Sequence, residues 1–446
     1  MSFTRTLRAV GGAALAGALL FGTAPVASAD SIRDSQWPLS EFDAEQVWQL
    51  STGKGVTVAV IDSPVDGTHP DLSGNVLPGK NFVTGGTANR NDSTVDGDSH
   101  GTAMASLIAG HGHGAGGSAG VKGLAPDAKI LPVGINFENS GSTEWAEALR
   151  YAVDQGATVV NMSFDAGIAY SSDEKDAVAY AAEKDVLLVG GAGNTGAQRV
   201  SFPAGAAGVV AVGAVGKDGV VWENSNSGEH LMLTAPGEYI RSAANGGGYR
   251  LANGTSDATA YVSATAALLR SKYPDLTAGQ IANRLVKTAG LPSSAKGLSL
   301  PDKHYGYGFI RPYHALADDI PAGSKQGPLR TPDAATSASP STATTAGGSD
   351  ANSSASSDSS GLGAGVFVII GVAVLVVVIV LVIVLSKRGG RRNGPGGGSP
   401  LPPQGGWQQQ PPSGWQQPPA GGYQQQPPQQ NPYASQQQPP NQWPNQ

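Results

Sequence analysis

Five short runs, at residues 56–61, 128–133, 159–162, 186–189 and 209–212, are dominated by Val, Ile, Leu and Ala. A strand with one wet face alternates apolar and polar residues; these hardly alternate, which is the mark of strands covered on both faces. Between them the spacing turns helical. Trp145, Ala148, Leu149 and Ala152 recur at intervals of three and four, and Gly156 stops the pattern, so a helix is expected over 143–155. Buried strands alternating with helices predict a single doubly wound α/β domain with a mainly parallel sheet, from about residue 30 to 322.

The flanks have a different composition. Residues 323–361 are small and polar without periodicity, and such a stretch cannot bury enough surface to fold. As a flexible linker it would span about 35 Å on average and about 130 Å pulled straight. Residues 366–385 carry no charge, enough to cross ~30 Å of hydrocarbon as a helix. Lys387, Arg388, Arg391 and Arg392 follow at once, placing the tail, 386–446, in the cytoplasm and the rest outside. At the other end Arg5 and Arg8, the apolar stretch 9–21 and Ala27-Ser28-Ala29 read as a signal peptide over 1–29. Both signals predict a single-pass protein of the cell membrane with its folded domain extracellular. The Gly/Pro/Gln-rich tail, with Trp407, Trp415, Tyr423, Tyr433 and Trp443, is expected to be disordered with polyproline character. Docking of cytoplasmic Pro-binding partners and an inert tail both stay open for it. The net charge of −6 excludes a general nucleic-acid binder. With no cysteine, neither a disulfide scaffold nor a thiolate metal site is available.

Three segments set a reactive side chain at the edge of an element. Asp62 closes the apolar run at 56–61, and a carboxylate there is costly unless paired. His100, in Asp98-Ser99-His100-Gly101-Thr102, opens a helix of small residues. Ser256 opens a long helical stretch running to Lys272, where free N–H groups and the helix dipole favour developing negative charge. An acid, an imidazole and an alcohol are what acyl transfer requires. Asn194, after the run at 186–189 and a Gly190-Gly191-Ala192-Gly193 turn, supplies an amide that can donate to an oxyanion beside the Ser256 N–H. Each residue alone is more often a structural cap or turn; the four together carry the assignment.

The chain resembles the subtilase family of serine proteases. Asp62-Ser-Pro-Val-Asp66, His100-Gly-Thr-Ala-Met-Ala-Ser, Gly123-Leu-Ala-Pro-Asp, Val160-Asn161-Met162-Ser163, Ala192-Gly-Asn194, Ala235-Pro-Gly237 and Gly254-Thr-Ser256 are similar to its motifs, in its order, across nearly all of 50–320. The resemblance implies a seven-stranded subtilisin-like sheet and hydrolysis of polypeptide substrates. It makes Asp62 the orienter, His100 the general base, Ser256 the nucleophile and Asn194 an oxyanion donor, with no cofactor for catalysis. Structural calcium is a habit of the family that no residue here identifies. A narrower likeness, through Gln36-Trp37-Pro-Leu39 and Ser51-Thr-Gly-Lys-Gly-Val-Thr-Val58, is to the mycosins, membrane-anchored subtilases of type VII secretion systems. The 32 residues from Asp30 to Ile61 are too few for a separately folded pro-domain, and 30–50 are expected to wrap the peptidase domain, 51–322, as an extension.

Several positions depart from the family. Pro64 takes a glycine position, Phe164-Asp165 stands where Leu-Gly is typical, Ala260 replaces a proline, and Asp257 follows Ser256 where an apolar residue is usual. They keep open an alternative in which a weak or inactive subtilase domain serves as a structural part of a secretion complex. A dinucleotide-binding enzyme is disfavoured, because Asp62-Ser-Pro stands where its glycines belong. His111-Gly-His113 is expected to be an exposed mobile loop rather than a metal site.

Overall fold

The structure, a computed structural model, describes residues 31–89, 99–136, 144–167 and 170–332. The expected signal peptide (1–29), membrane helix (366–385) and tail (386–446), and most of the linker, lie outside the described residues. Among the described residues no helix is long and apolar enough to cross a membrane.

The core is a seven-stranded parallel sheet: β1 (Thr57–Asp62), β2 (Lys80–Asn81), β5 (Lys129–Gly134), β6 (Val159–Met162), β7 (Leu187–Gly191), β8 (Val209–Val215) and β9 (Leu233–Pro236). Its order is β2-β5-β1-β6-β7-β8-β9. The remaining strands form two antiparallel hairpins, β3 (His111–His113) with β4 (Ala119–Lys122), and β10 (Ile240–Ala244) with β11 (Gly248–Ala252). All five apolar runs are sheet strands, their ends differing by at most three residues. Successive side chains of β1 point to opposite faces: Val58 and Val60 join one hydrophobic cluster, Ala59 and Ile61 the other. Both faces are therefore dry, as the lack of alternation predicts.

The first cluster is covered by α4 (His100–Ala109), α7 (Thr255–Lys272) and α8 (Ala278–Thr288); the second by α5 (Glu144–Asp154) and α6 (Ser172–Glu183). The helix expected over 143–155 is α5, residue 143 being outside the described residues. Helix α7 is buried from Thr255 to Arg270 and has no wet face. Two of its hydroxyls turn inward onto the helix, Thr259 donating to the Thr255 carbonyl (2.7 Å) and Thr265 to that of Tyr261 (2.8 Å).

Three short helices, α1 (Ser31–Asp34), α2 (Trp37–Glu41) and α3 (Ala44–Leu50), precede the sheet, and α9 (Pro312–Ala317) packs on α3 and α8 from the other end. The early segment is tied down by side chains bonded to distant backbone. Arg33 Nε donates to the Gly120 carbonyl (3.0 Å), Trp37 Nε1 to that of Glu238 (3.1 Å) and Trp48 Nε1 to that of Leu124 (3.0 Å). Gln36 is almost fully buried; its amide donates to the Lys122 carbonyl (3.0 Å) and accepts from the Lys122 N–H (2.9 Å), standing in for a neighbouring strand at the edge of β4. Gln36→Leu keeps the bulk but orphans both backbone groups at a cost of about 2–4 kcal/mol. A denaturant midpoint unchanged by Gln36→Leu would refute that account of the segment.

Candidate active site

In an open α/β sheet the crevice lies beyond the carboxyl ends of strands, where the order reverses. Here β5 and β6 leave β1 on opposite sides, and the ends of β1, β6 and β7 deliver Asp62, Ser163 and Asn194.

Asp62 is fully buried. Its carboxylate accepts from the Ser63 N–H (2.8 Å) and lies 2.9 Å, through each oxygen, from Nδ1 of His100. That nitrogen faces two acceptors, so it carries the proton and leaves Nε2 with its lone pair. His100 is the first residue of α4, and its ring is 18% exposed. Burial disfavours the charged ring, but the charge and hydrogen bond of Asp62 outweigh it, with a smaller push from Asp257 against Arg250. The imidazole pKa rises above its ordinary 6.5. The approach of α4 to β1 requires Gly101, where a methyl group would overlap the Ser63 carbonyl.

Ser256 is the second residue of α7 and is nearly buried. Its hydroxyl donates to the Ser163 carbonyl (3.1 Å) while the Ser163 hydroxyl donates to the Ser256 carbonyl (3.1 Å), a reciprocal pair joining β6 to the start of α7. Asn161 supports it by donating to Ser163 Oγ (2.9 Å) and accepting from Ser263 (3.0 Å). Asn194 Oδ1 accepts from the Thr255 N–H and Thr255 hydroxyl, each at 2.9 Å. A backbone N–H only donates, so the amide oxygen must face Thr255, leaving the amino group for the cleft. Ser63, Ser163 and Thr255 stand in the motif segments but received no role from the sequence, because their roles depend on contacts 38 to 93 residues away.

These residues meet in a cleft of about 290 Å³, lined from β6 by Ser163, Phe164 and Asp165 and from β7 by Gly191, Gly193 and Asn194, with His100, Thr255 and Ser256. Imidazole, hydroxyl and amide donor thus share one cleft, and Asp62 sits behind the imidazole. This inventory suits nucleophilic acyl transfer.

His111 and His113 form strand β3 rather than a mobile loop. His113 Nδ1 is 2.6 Å from Oδ1 of the buried Asp71, and His111 Nε2 is 2.9 Å from the Ser73 carbonyl. Pairing with β4 holds them, an outcome the glycines around them disguise in the sequence. Among the described residues no three His, Asp or Glu side chains group as a metal site requires.

Asp257 is 1% exposed, and its Oδ1 has no hydrogen-bond partner. Burial pushes its pKa up to about 6, against the opposing charges of Arg250 and His100.

Residues 53–308 match the subtilase family. Thermitase of Thermoactinomyces vulgaris is 33% identical over 285 residues, 63% of this chain and 95% of thermitase. Subtilisin E of Bacillus subtilis is 38% identical over 244 residues, covering 53% of this chain and 61% of its own length. Among solved structures, the serine protease MycP1, described as an essential component of the type VII (ESX-1) secretion system, superposes with a TM-score of 0.53 at 31% identity, over 66% of this chain and 90% of that one.

Two outcomes follow from this geometry. Gly101→Ala should cost about 1–3 kcal/mol by forcing α4 away from Ser63, and should lower turnover further by moving His100; a variant matching the parent in both would contradict the close approach. Asp257 binds its proton more tightly folded than unfolded, so ionising it penalises the fold. The parent should therefore lose about 3 kcal/mol relative to Asp257→Asn as pH rises from about 4 to above 6. Denaturant unfolding of both chains at pH 4 and pH 7 measures that difference, and an unchanged gap would exclude a buried, ionising Asp257.

Proposed function

The chain belongs to the subtilase family and is a serine endopeptidase, and from that premise we propose that it cleaves polypeptides outside the cytoplasmic membrane through an Asp62–His100–Ser256 acyl-enzyme mechanism, in association with type VII protein secretion. The observation that carries the mechanism is the Asp62–His100 pair opening on the cleft that holds Ser256.

In the resting site the Ser163 carbonyl accepts the Ser256 hydroxyl; attack on a peptide carbonyl hands that proton to Nε2 of His100 instead. Asp62 stabilises the imidazolium that results. The tetrahedral oxygen takes hydrogen bonds from the Asn194 amino group and the Ser256 N–H at the start of α7, and losing one such donor costs about 10²–10³ in rate. His100 then gives its proton to the departing amine, and water repeats the cycle on the ester. Every group belongs to this chain, so the scheme draws on no cofactor.

The setting rests on the sequence: the signal peptide at 1–29, the uncharged run at 366–385 as anchor, and the basic residues after it. The likeness to MycP1 supports placement beside a type VII secretion complex. Asp257 bears on the second reading, a structural part with weak catalysis, because a negative charge beside the nucleophile opposes a forming oxyanion.

A fluorophosphonate should label Ser256 in the full-length, membrane-bound chain and not in Ser256→Ala. Because His100 must be neutral to act as base, kcat/KM should climb with pH along a limb whose midpoint lies above 6.5, the direction in which Asp62 shifts the imidazole. No labelling of the folded chain would sink the enzyme mechanism. Ser256→Ala in the producing cell should stop processing of secreted proteins; secretion that continues regardless would separate a structural role from catalysis.

A further inference from the structure

Asp165 is the acidic residue lining the catalytic cleft, and the hydrolysis just proposed gives it no task. It is exposed and, among the described residues, forms no ion pair. Its carboxylate is nonetheless fixed. Oδ1 accepts from the Gly167 N–H (2.7 Å) and Oδ2 from the Ser201 hydroxyl (2.8 Å), which is in turn 3.3 Å from the Asn226 amide nitrogen. Two hydrogen bonds leave roughly half of a carboxylate's acceptor sites open. Among the described residues no lysine or arginine lines the cleft to occupy them.

Spacing and shape add to charge. Ser163, whose carbonyl touches the nucleophile, is two residues before Asp165, and two extended residues span at most about 7 Å. The Asp165 carboxylate is thus within reach of an unbranched stem of about four carbons. Gly191 and Gly193 add no side chain to the cleft wall, and Gly193 has no room for one, since a Cβ there would run into the Asn226 amide and the Ser201 hydroxyl. Half-buried Phe164 gives the methylene stem of a basic residue an apolar surface to lie on, while its charged end reaches the carboxylate.

We infer that Asp165 makes this cleft select a lysine or arginine on the substrate residue whose carbonyl Ser256 attacks. The inference rests on the serine-endopeptidase mechanism and adds its substrate class. A charge-assisted contact of this kind is worth about 10–100-fold in discrimination. Asp165 acts on specificity, and the bonds to Gly167 and Ser201 hold it in place to do so.

The test uses the full-length chain in membranes and peptide substrates identical except at that residue, carrying lysine, arginine or norleucine, the last having the stem of lysine without its charge. Lysine and arginine should exceed norleucine by at least about tenfold in kcat/KM, and Asp165→Asn should lower that ratio about 10–100-fold. Asparagine keeps an acceptor for Gly167 and a polar partner for Ser201, so a purely structural Asp165 would change all three substrates together and leave the ratio where it was. Norleucine cleaved as fast as lysine, or a ratio unmoved in Asp165→Asn, overturns the inference. Aryl phosphonates bearing the same side chains distinguish the two levels of failure. Equal labelling of Ser256 by the lysine and norleucine probes overturns the specificity alone, and labelling by neither removes the protease mechanism with it.

Discussion

A carboxylate with no exposure to water sits at the end of a strand whose other residues are apolar, and much of the local architecture exists to satisfy it. Left unpaired, a buried charge like that of Asp62 costs several kcal/mol. The partners are the Ser63 N–H and the His100 imidazole, so the strand end and the first residue of α4 must meet. Gly101 permits the meeting, and its N–H donates to Ser63 Oγ at 2.9 Å, closing a loop of bonds between strand and helix. The same constraint orients the imidazole: whatever holds Asp62 also fixes which ring nitrogen is free.

A second lock joins β6 to α7 through the crossed hydrogen bonds of Ser163 and Ser256, and a third joins the β7 end to α7 through Asn194 and Thr255. The nucleophile's helix is thus gripped at its first turn from two strand ends, and its body is buried from there to Arg270. A serine so held has little freedom to drift from the cleft. The cleft-lining carboxylate of Asp165 is braced in the same manner from across the chain, by Ser201.

Much of this was legible in residue order alone. Runs of uninterrupted apolar residues announce strands covered on both faces, and all five took their places in one parallel sheet. What escaped has a common cause. Strand β9, Leu-Thr-Ala-Pro, is short and ends in proline; β10 buries Ile240, Ser242 and Ala243 but has Arg241 and Ser242 in place of an apolar run; β11 has no buried residue; and β2 is two residues long. Helix α8 did carry a signal, a capping box from Thr277 to Gln280, overlooked in favour of apolar periodicity. At the site, chain order and local context single out Asp62, His100, Asn194 and Ser256. Of the braces around them, Ser163 and Thr255 stand inside the family-like motifs but declare no role there, and Ser201 looks like any surface serine, because their partners are set by the fold.

Asp257 departs from the economy of the rest. Every other acid near the centre has found donors: Asp62 has Ser63 and His100, and the buried Asp66 takes Thr68 and the Gly246 N–H. Asp257 is as deeply buried, keeps one oxygen without a partner, and sits one residue from the nucleophile. At the start of α7 the helix dipole gives back at most about 2 kcal/mol, less than the burial takes, as its raised pKa records. An apolar side chain would fill the position more stably. Its charge acts in opposite directions on the two charges of the reaction, favouring the imidazolium of His100 and disfavouring the oxyanion beside Ser256. In the proposed mechanism the first effect is the smaller contribution, since Asp62 already serves the imidazolium at 2.9 Å, and Asp257 adds to it while opposing the oxyanion.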